Sequence, residues 1–204
     1  MTRRKDHRVP RSTFIHEAGH AVVKYVYGGW NLDLVRRFKE VSAEPDDQTA
    51  GRLSNHPEKW VGSEEDVTDL DYTDIGSWPA RTRRKIEHRI MVCLAGAVAE
   101  DMYGFNDSDD TMPVEVSSGG VVDVYWGGSR SDFQAAWEYV RLMGGSDETQ
   151  GALLEWLRCR TRDFLNQPHI MTALERLADA LEQQGSLSYA QASSVMDESL
   201  IKGA

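Results

Sequence analysis

Apolar side chains recur along the chain mostly at helical spacing. Phe14, Ala18, Ala21 (with Val22) and Tyr25 form one stripe, predicting a helix that Ser12 or Thr13 caps and that runs to about Tyr27, where Gly28-Gly29 stops it. Ile86, Ile90, Val92 (with Cys93 and Leu94), Ala97 and Met102 mark a longer helix from about Pro79 to Tyr103, ended by Gly104. "SDFQAAWEYVRLMGG" opens a third, with Ser131 and Gln134 spaced as a capping box. "TQGALLEWLRCRTRDFLNQ", "HIMTALERLADALEQQG" and "SYAQASSVMDESLI" follow as three more helices, punctuated by Pro168 and Gly185.

Strand patterns are few. "LDLVRRF" (32–38) and "AGRLSNH" (50–56) read as short strands joined by an acidic, turn-rich link. Residues 57–78 read as loop. Residues 105–130 are rich in Asp, Ser and Gly, with a strand-like "VVDVYW" inside. The expected fold is mainly α with a small early β element: a basic N-terminal tail over residues 1–11, then a single domain over 12–204. A chain of 204 residues is long enough for one sizeable core.

Charge narrows the function. The net charge of -10 argues against a nucleic-acid partner. Between Glu40 and Asp74 the only Lys or Arg residues are Arg52 and Lys59, whereas "MTRRKDHRVPR" and "RTRRK" are basic; solvated surface accounts for both. Two cysteines, Cys93 and Cys159, make no disulfide framework, and Cys93 in its apolar run reads as a core thiol, so a reducing, cytoplasmic setting is expected. No apolar run approaches membrane-spanning length and the basic start lacks the apolar stretch of a secretory signal, so no membrane partner is expected.

The first helix also carries chemistry. His16 and His20 stand four apart, hence on one side of the helix, with Glu17 directly after the first. H-E-x-x-H on a helix presents two imidazoles to one zinc ion and sets a carboxylate beside its water. Zinc would polarise a carbonyl and acidify that water, and Glu17 would move the proton to the leaving amine. By composition alone such a motif arises on the order of once in 100 chains like this one. Ala18 and Gly19 between the histidines leave room for another helix to pack closely. A catalytic zinc takes three protein ligands. Val23 and Val26 stand where an extended motif would place Gly and a third His, so the third ligand lies farther along. His56, His88, Glu100, Asp101, Asp132 and His169 are the candidates. Glu100 and Asp132, on well-marked helices, lead; His56 reads as a loop histidine and His88, between Glu87 and Arg89, as an exposed one.

"HEAGHAVV" resembles the signature of the FtsH-type zinc endopeptidases, whose protease domain usually follows an AAA ATPase. In the same order, "CLAGAVAEDMYG" (93–104) is similar to the family's helix ending in a Gly-Arg-Ala-Ala-Glu-like stretch. "SDFQAAWEYVRLM" (131–143) is similar to its Asn-Asp-Leu-x-x-Ala-Thr segment, and "ALERLADALEQQGSLS" (173–188) to its C-terminal helix pair. The resemblance runs in pieces from about Ser12 to Ile201 and is loose over 30–80 and 105–130. It implies a helical, zincin-like protease domain with Zn2+ as cofactor, His16, His20 and Asp132 as ligands and Glu17 as catalytic base. Glu100 becomes a supporting residue, or the alternative ligand. Substrate backbone would dock on a strand near Gly51, Arg52 and Leu53.

There are departures. The family's Arg is missing from Ala95-Gly96-Ala97-Val98, and no lysine follows a glycine, so a Gly-x-x-x-x-Gly-Lys phosphate loop is absent. The expectation is a zinc endopeptidase acting on peptides or unfolded polypeptides without an ATPase of its own, as a monomer or small homo-oligomer. The alternative is an inactive zinc-binding adaptor, or a protease subunit served by an ATPase in trans.

Overall fold

The computed structural model describes residues 9–30, 38–43, 52–55, 80–105, 111–115, 121–125 and 130–202. In chain order these form α1 (Arg11–Trp30), β1 (Phe38–Ser42), β2 (Arg52–Asn55), α2 (Ala80–Met102), β3 (Thr111–Glu115), β4 (Val121–Tyr125), α3 (Arg130–Leu142), α4 (Asp147–Leu165), α5 (Pro168–Gln184), β5 (Ser186–Ser188) and α6 (Tyr189–Lys202). The fold is mainly α, as the apolar periodicity predicts.

Helix α1 sits at the centre. It packs on α2 and α5; α2 in turn packs on α3 and α4, and α6 closes over α5. The stripe read from the sequence is the one that is buried: Phe14, Ala18, Ala21 and Val22 face the core, with Tyr25 at its margin. On α2, Ile86, Ile90, Leu94 and Ala97 are buried, while Val92, Cys93 and Met102 are half-buried against the same core. Burial nonetheless pushes the Cys93 thiol up to about 12, consistent with an inert packing role.

The helix ends follow local chemistry. The Tyr103-Gly104-Phe105 turn closes α2: Gly104 adopts φ 69, its N–H donates to Asp101 O at 3.1 Å, and the Phe105 N–H donates to Glu100 O at 3.0 Å. This is a Schellman turn, which only a left-handed residue closes without strain. Ser146 caps α4 by accepting from the Thr149 N–H, and Pro168 starts α5, where its missing N–H is not needed.

Some boundaries differ from expectation. Helix α1 starts at Arg11, so Ser12 and Thr13 lie inside its first turn rather than capping it, and Arg11 leaves the tail to pair with Asp179 and Glu182 of α5. The helix also continues through Gly28-Gly29 to Trp30; glycine costs a helix about 1 kcal/mol, too little to end it alone. The first strand begins at Phe38, where the 32–38 strand was expected to end; residues 32–37, like the 57–78 loop and most of the basic tail, lie outside the described residues.

The β element is more than early. β1 is the middle of an antiparallel sheet ordered β2-β1-β5, with Val41 opposite both Leu53 and Leu187. The third strand thus arrives from beyond α5. Val41 and Leu187 are both buried, which ties the sheet to the helical core. A second hairpin pairs β3 with β4, Pro113 opposite Asp123.

Candidate metal centre

Helix α1 presents His16 and His20 one turn apart, and α2 fixes both rings from behind. The His20 Nδ1–H donates to the Val92 backbone oxygen at 2.7 Å. A carbonyl only accepts, so this bond leaves the Nε2 of a neutral His20 ring with a bare lone pair. His16 Nδ1 lies 2.9 Å from Glu100 Oε2, where the carboxylate accepts its proton. The same reasoning leaves His16 Nε2 bare.

These two nitrogens face one another at 3.0 Å, their rings nearly perpendicular. Asp132, in the first turn of α3, completes the set: its Oδ2 lies 3.0 Å from His16 Nε2 and 3.3 Å from His20 Nε2. Three acceptors therefore converge on one point, all within 4.8 Å of each other, with no donor among them unless a ring is protonated. Such an arrangement calls for a cation.

The electrostatics agree. Burial opposes charge on His16, but its bonds to Asp132 and Glu100 outweigh that and push the ring up to about 10. For His20 burial again opposes charge, and Asp132 again wins, raising it. Burial alone would lift Asp132; the two imidazoles instead hold it well below the usual carboxylate range. Each shift favours positive charge between the three side chains, whether a proton or a metal ion supplies it. The group His16, His20 and Asp132 can hold a metal ion.

Glu17 lies beside them. It is only 4% exposed, and its Oε2 has no hydrogen-bond partner. Burial raises its carboxyl, partly offset by His20 and His16. A buried carboxylate oxygen without a protein donor next to a cation site suits a group whose partner is a bound molecule.

The expected residues thus sort clearly. His16, His20 and Asp132 come together, across 116 residues of sequence for the third. Glu100 is not in the converging set; it supports His16 from the far side. Asp101 turns away and pairs with Arg162 at 3.2 Å and Arg158 at 3.7 Å. His88 is not exposed, as expected from its charged neighbours, but buried at 8% and set against Tyr27, with ring centroids 4.3 Å apart. Its neighbour Glu87 is buried too, neutralised by Arg83 and Arg160, each at 3.1 Å. His56 and Gly51 lie outside the described residues; Arg52 and Leu53 lie on β2, opposite Ser42 and Val41.

Two partners escaped the sequence reading. The Val92 backbone carbonyl carries no sequence signature. Gly96 does: it is an interior helix glycine, and it faces both histidine rings. Gly19 behaves as its size suggests, lying against Ala95 and Ala99 of α2.

No protein-family model matches the chain, and no curated protein matches it. No helix among the described residues is long and apolar enough to cross a membrane.

Proposed function

We propose that the chain is a zinc endopeptidase of the FtsH type, hydrolysing peptide bonds in peptides or unfolded polypeptides without nucleotide. The observation that carries this reading is the convergence of His16 Nε2, His20 Nε2 and Asp132 Oδ2 beside the unpartnered, buried Glu17 Oε2.

The donor set favours zinc. Two imidazoles and one carboxylate suit a borderline ion; calcium takes six to eight oxygens and magnesium keeps its waters. Tetrahedral ligand atoms at zinc bond lengths stand roughly 3.3–3.6 Å apart. The spacings of 3.0–3.3 Å are slightly tighter, within a small shift of that value. When bound, zinc supplies Lewis acidity toward a carbonyl oxygen and lowers the pKa of its water to about 7.

The protein's own groups do the rest. Glu100 and the Val92 carbonyl hold the rings with Nε2 toward Asp132, so neither histidine must reorient. Glu17 accepts a proton from the attacking water at a carboxylate oxygen and passes it to the amine that leaves. The early sheet packs against α1, the helix that bears both histidines. Within it, β2 is an edge strand among the described residues, the kind of position from which a strand pairs with an extended substrate backbone.

The test is cleavage of casein and of a quenched fluorogenic peptide library by the purified chain, with zinc measured on the same samples. Wild type should cleave both without ATP, and chelation should stop it. Glu17→Gln should keep its zinc and lose about 10²–10⁴-fold in rate. Equal residual cleavage by both proteins at equal zinc content would favour an inactive zinc-binding adaptor instead.

A further inference from the structure

We propose that Gly96 is a positioning residue for the metal centre: it is glycine because the two histidine nitrogens occupy the space a side chain would take. This rests on the metal reading above and adds a residue to it. A Cβ built at Gly96 would lie 2.5 Å from His16 Nε2, 2.6 Å from His16 Cε1 and 2.6 Å from His20 Nε2. Real Cβ atoms essentially never come within 3.0 Å of such neighbours. The notch on α2 is therefore filled by the same two atoms that face Asp132.

The rings have little freedom to step aside. His16 is held through Nδ1 by Glu100 and His20 through Nδ1 by the Val92 carbonyl, both residues of α2 itself. To admit one methyl group, the Nε2 atoms must move off Gly96 or these bonds must break. Either response spoils the ligand set rather than the helix. Alanine is otherwise the better residue inside a helix, so helix propensity gives no reason for glycine at this position.

Gly19 supplies the contrast on the same helix crossing. A Cβ there would lie 2.6 Å from the Ala95 backbone oxygen and 2.9 Å from Ala99 Cβ. Those atoms are the backbone and Cβ of α2 itself, so the damage falls on helix packing. Gly19 sets how closely α1 and α2 approach; Gly96 leaves room for what α1 carries. One crossing thus holds two glycines with separable tasks.

The experiment uses the full chain as wild type, Gly96→Ala and Gly19→Ala, each stripped with chelator. Far-UV circular dichroism and the thermal midpoint report the fold. Competition against a chromophoric chelator reports zinc affinity. Gly96→Ala should keep the wild-type spectrum and bind zinc at least about tenfold more weakly, the loss seen when other supports of a metal ligand are removed. Gly19→Ala should lower the metal-free midpoint more than Gly96→Ala does.

Should Gly96→Ala unfold, the pair His16→Ala/His20→Ala and His16→Ala/His20→Ala/Gly96→Ala decides. Removing both rings clears all three atoms nearest the added Cβ, so adding Gly96→Ala should then lower the midpoint much less than it does in wild type. Equal damage in both backgrounds overturns the proposal. Equal zinc affinity of wild type and Gly96→Ala overturns the role of Gly96 alone, whereas a wild type that binds no zinc overturns the metal centre with it.

Discussion

Glu100 Oε2 on α2 and His16 Nδ1 on α1 stand 2.9 Å apart, on the side of the ring away from Asp132. The carboxylate thus fixes which His16 nitrogen stays bare and enriches it in electron density. Glu100→Gln keeps an acceptor oxygen but removes the charge. Its zinc affinity should fall about 10–100-fold without loss of helical signal, as measured by competition titration. Complete loss of zinc in Glu100→Gln, with zinc retained in Asp132→Ala, would exchange the roles of the two acids.

His88 is expected to make the fold acid-sensitive. Burial and then Arg160 push its pKa from 6.5 to about 4. Between those values the unfolded chain binds the proton and the native chain does not. The stability from this residue is complete above pH 6.5 and falls as pH drops toward 4. Going from neutral pH to about pH 4.5 should therefore cost wild type roughly 2–3 kcal/mol more than His88→Phe, which still stacks on Tyr27 but does not titrate. Urea midpoints of both proteins at the two pH values test this; parallel losses would mean that His88 is already protonated in the fold.

Gly185 links two layers. Its φ of 75 is left-handed, its N–H closes α5 on Leu181 O at 2.8 Å, and its own oxygen accepts from Ala43 N just after β1. With ψ -46 it lies outside even the left-handed helical well, so Gly185→Ala should cost about 1–3 kcal/mol, the penalty of holding a Cβ-bearing residue in a sparsely populated region. At this chain length each kcal/mol lowers the thermal midpoint by about 2–4 °C. An unchanged midpoint would show that the turn relaxes to another conformation at no cost.

What the sequence revealed follows the range of the physics involved. His16, Glu17 and His20 lie within one helical turn and a half, so spacing alone aligns them, and the stripe from Phe14 to Val22 shows which way the helix faces. Asp132 shared the lead with Glu100 by spacing; the family resemblance chose between them, because helix-to-helix packing, not local pattern, carries Asp132 to the histidines. Strand β5 has three residues and exists through pairing with β1, far back in the chain, so no local period betrays it. β3 was hidden by Pro113, which argues against a strand except at an edge or in a short hairpin. His88 misled for an electrostatic reason: a flanking acid normally means solvent, but Arg83 and Arg160 neutralise Glu87 inside the fold.

Removal of the proposed metal should be felt by the whole fold, because the three residues that can hold it come from α1 and α3 and the supports of the two histidines from α2. With no cation, His16, His20 and Asp132 are left as three converging acceptors, and a proton is the only substitute the side chains themselves supply. On the proposed reading zinc binds this native constellation and not the unfolded chain, so at 100 times its dissociation constant it should add about 2.7 kcal/mol. That corresponds to a rise in thermal midpoint of roughly 5–10 °C for a chain of this size. Asp132→Asn keeps one oxygen but loses the charge that draws the cation in, so its response to zinc should be much smaller, and its metal-free midpoint should also fall because the buried imidazoles lose their charged partner. Thermal denaturation of both proteins after chelation, with and without added zinc, makes the comparison. A wild-type midpoint indifferent to zinc would mean that a proton alone holds these three side chains together.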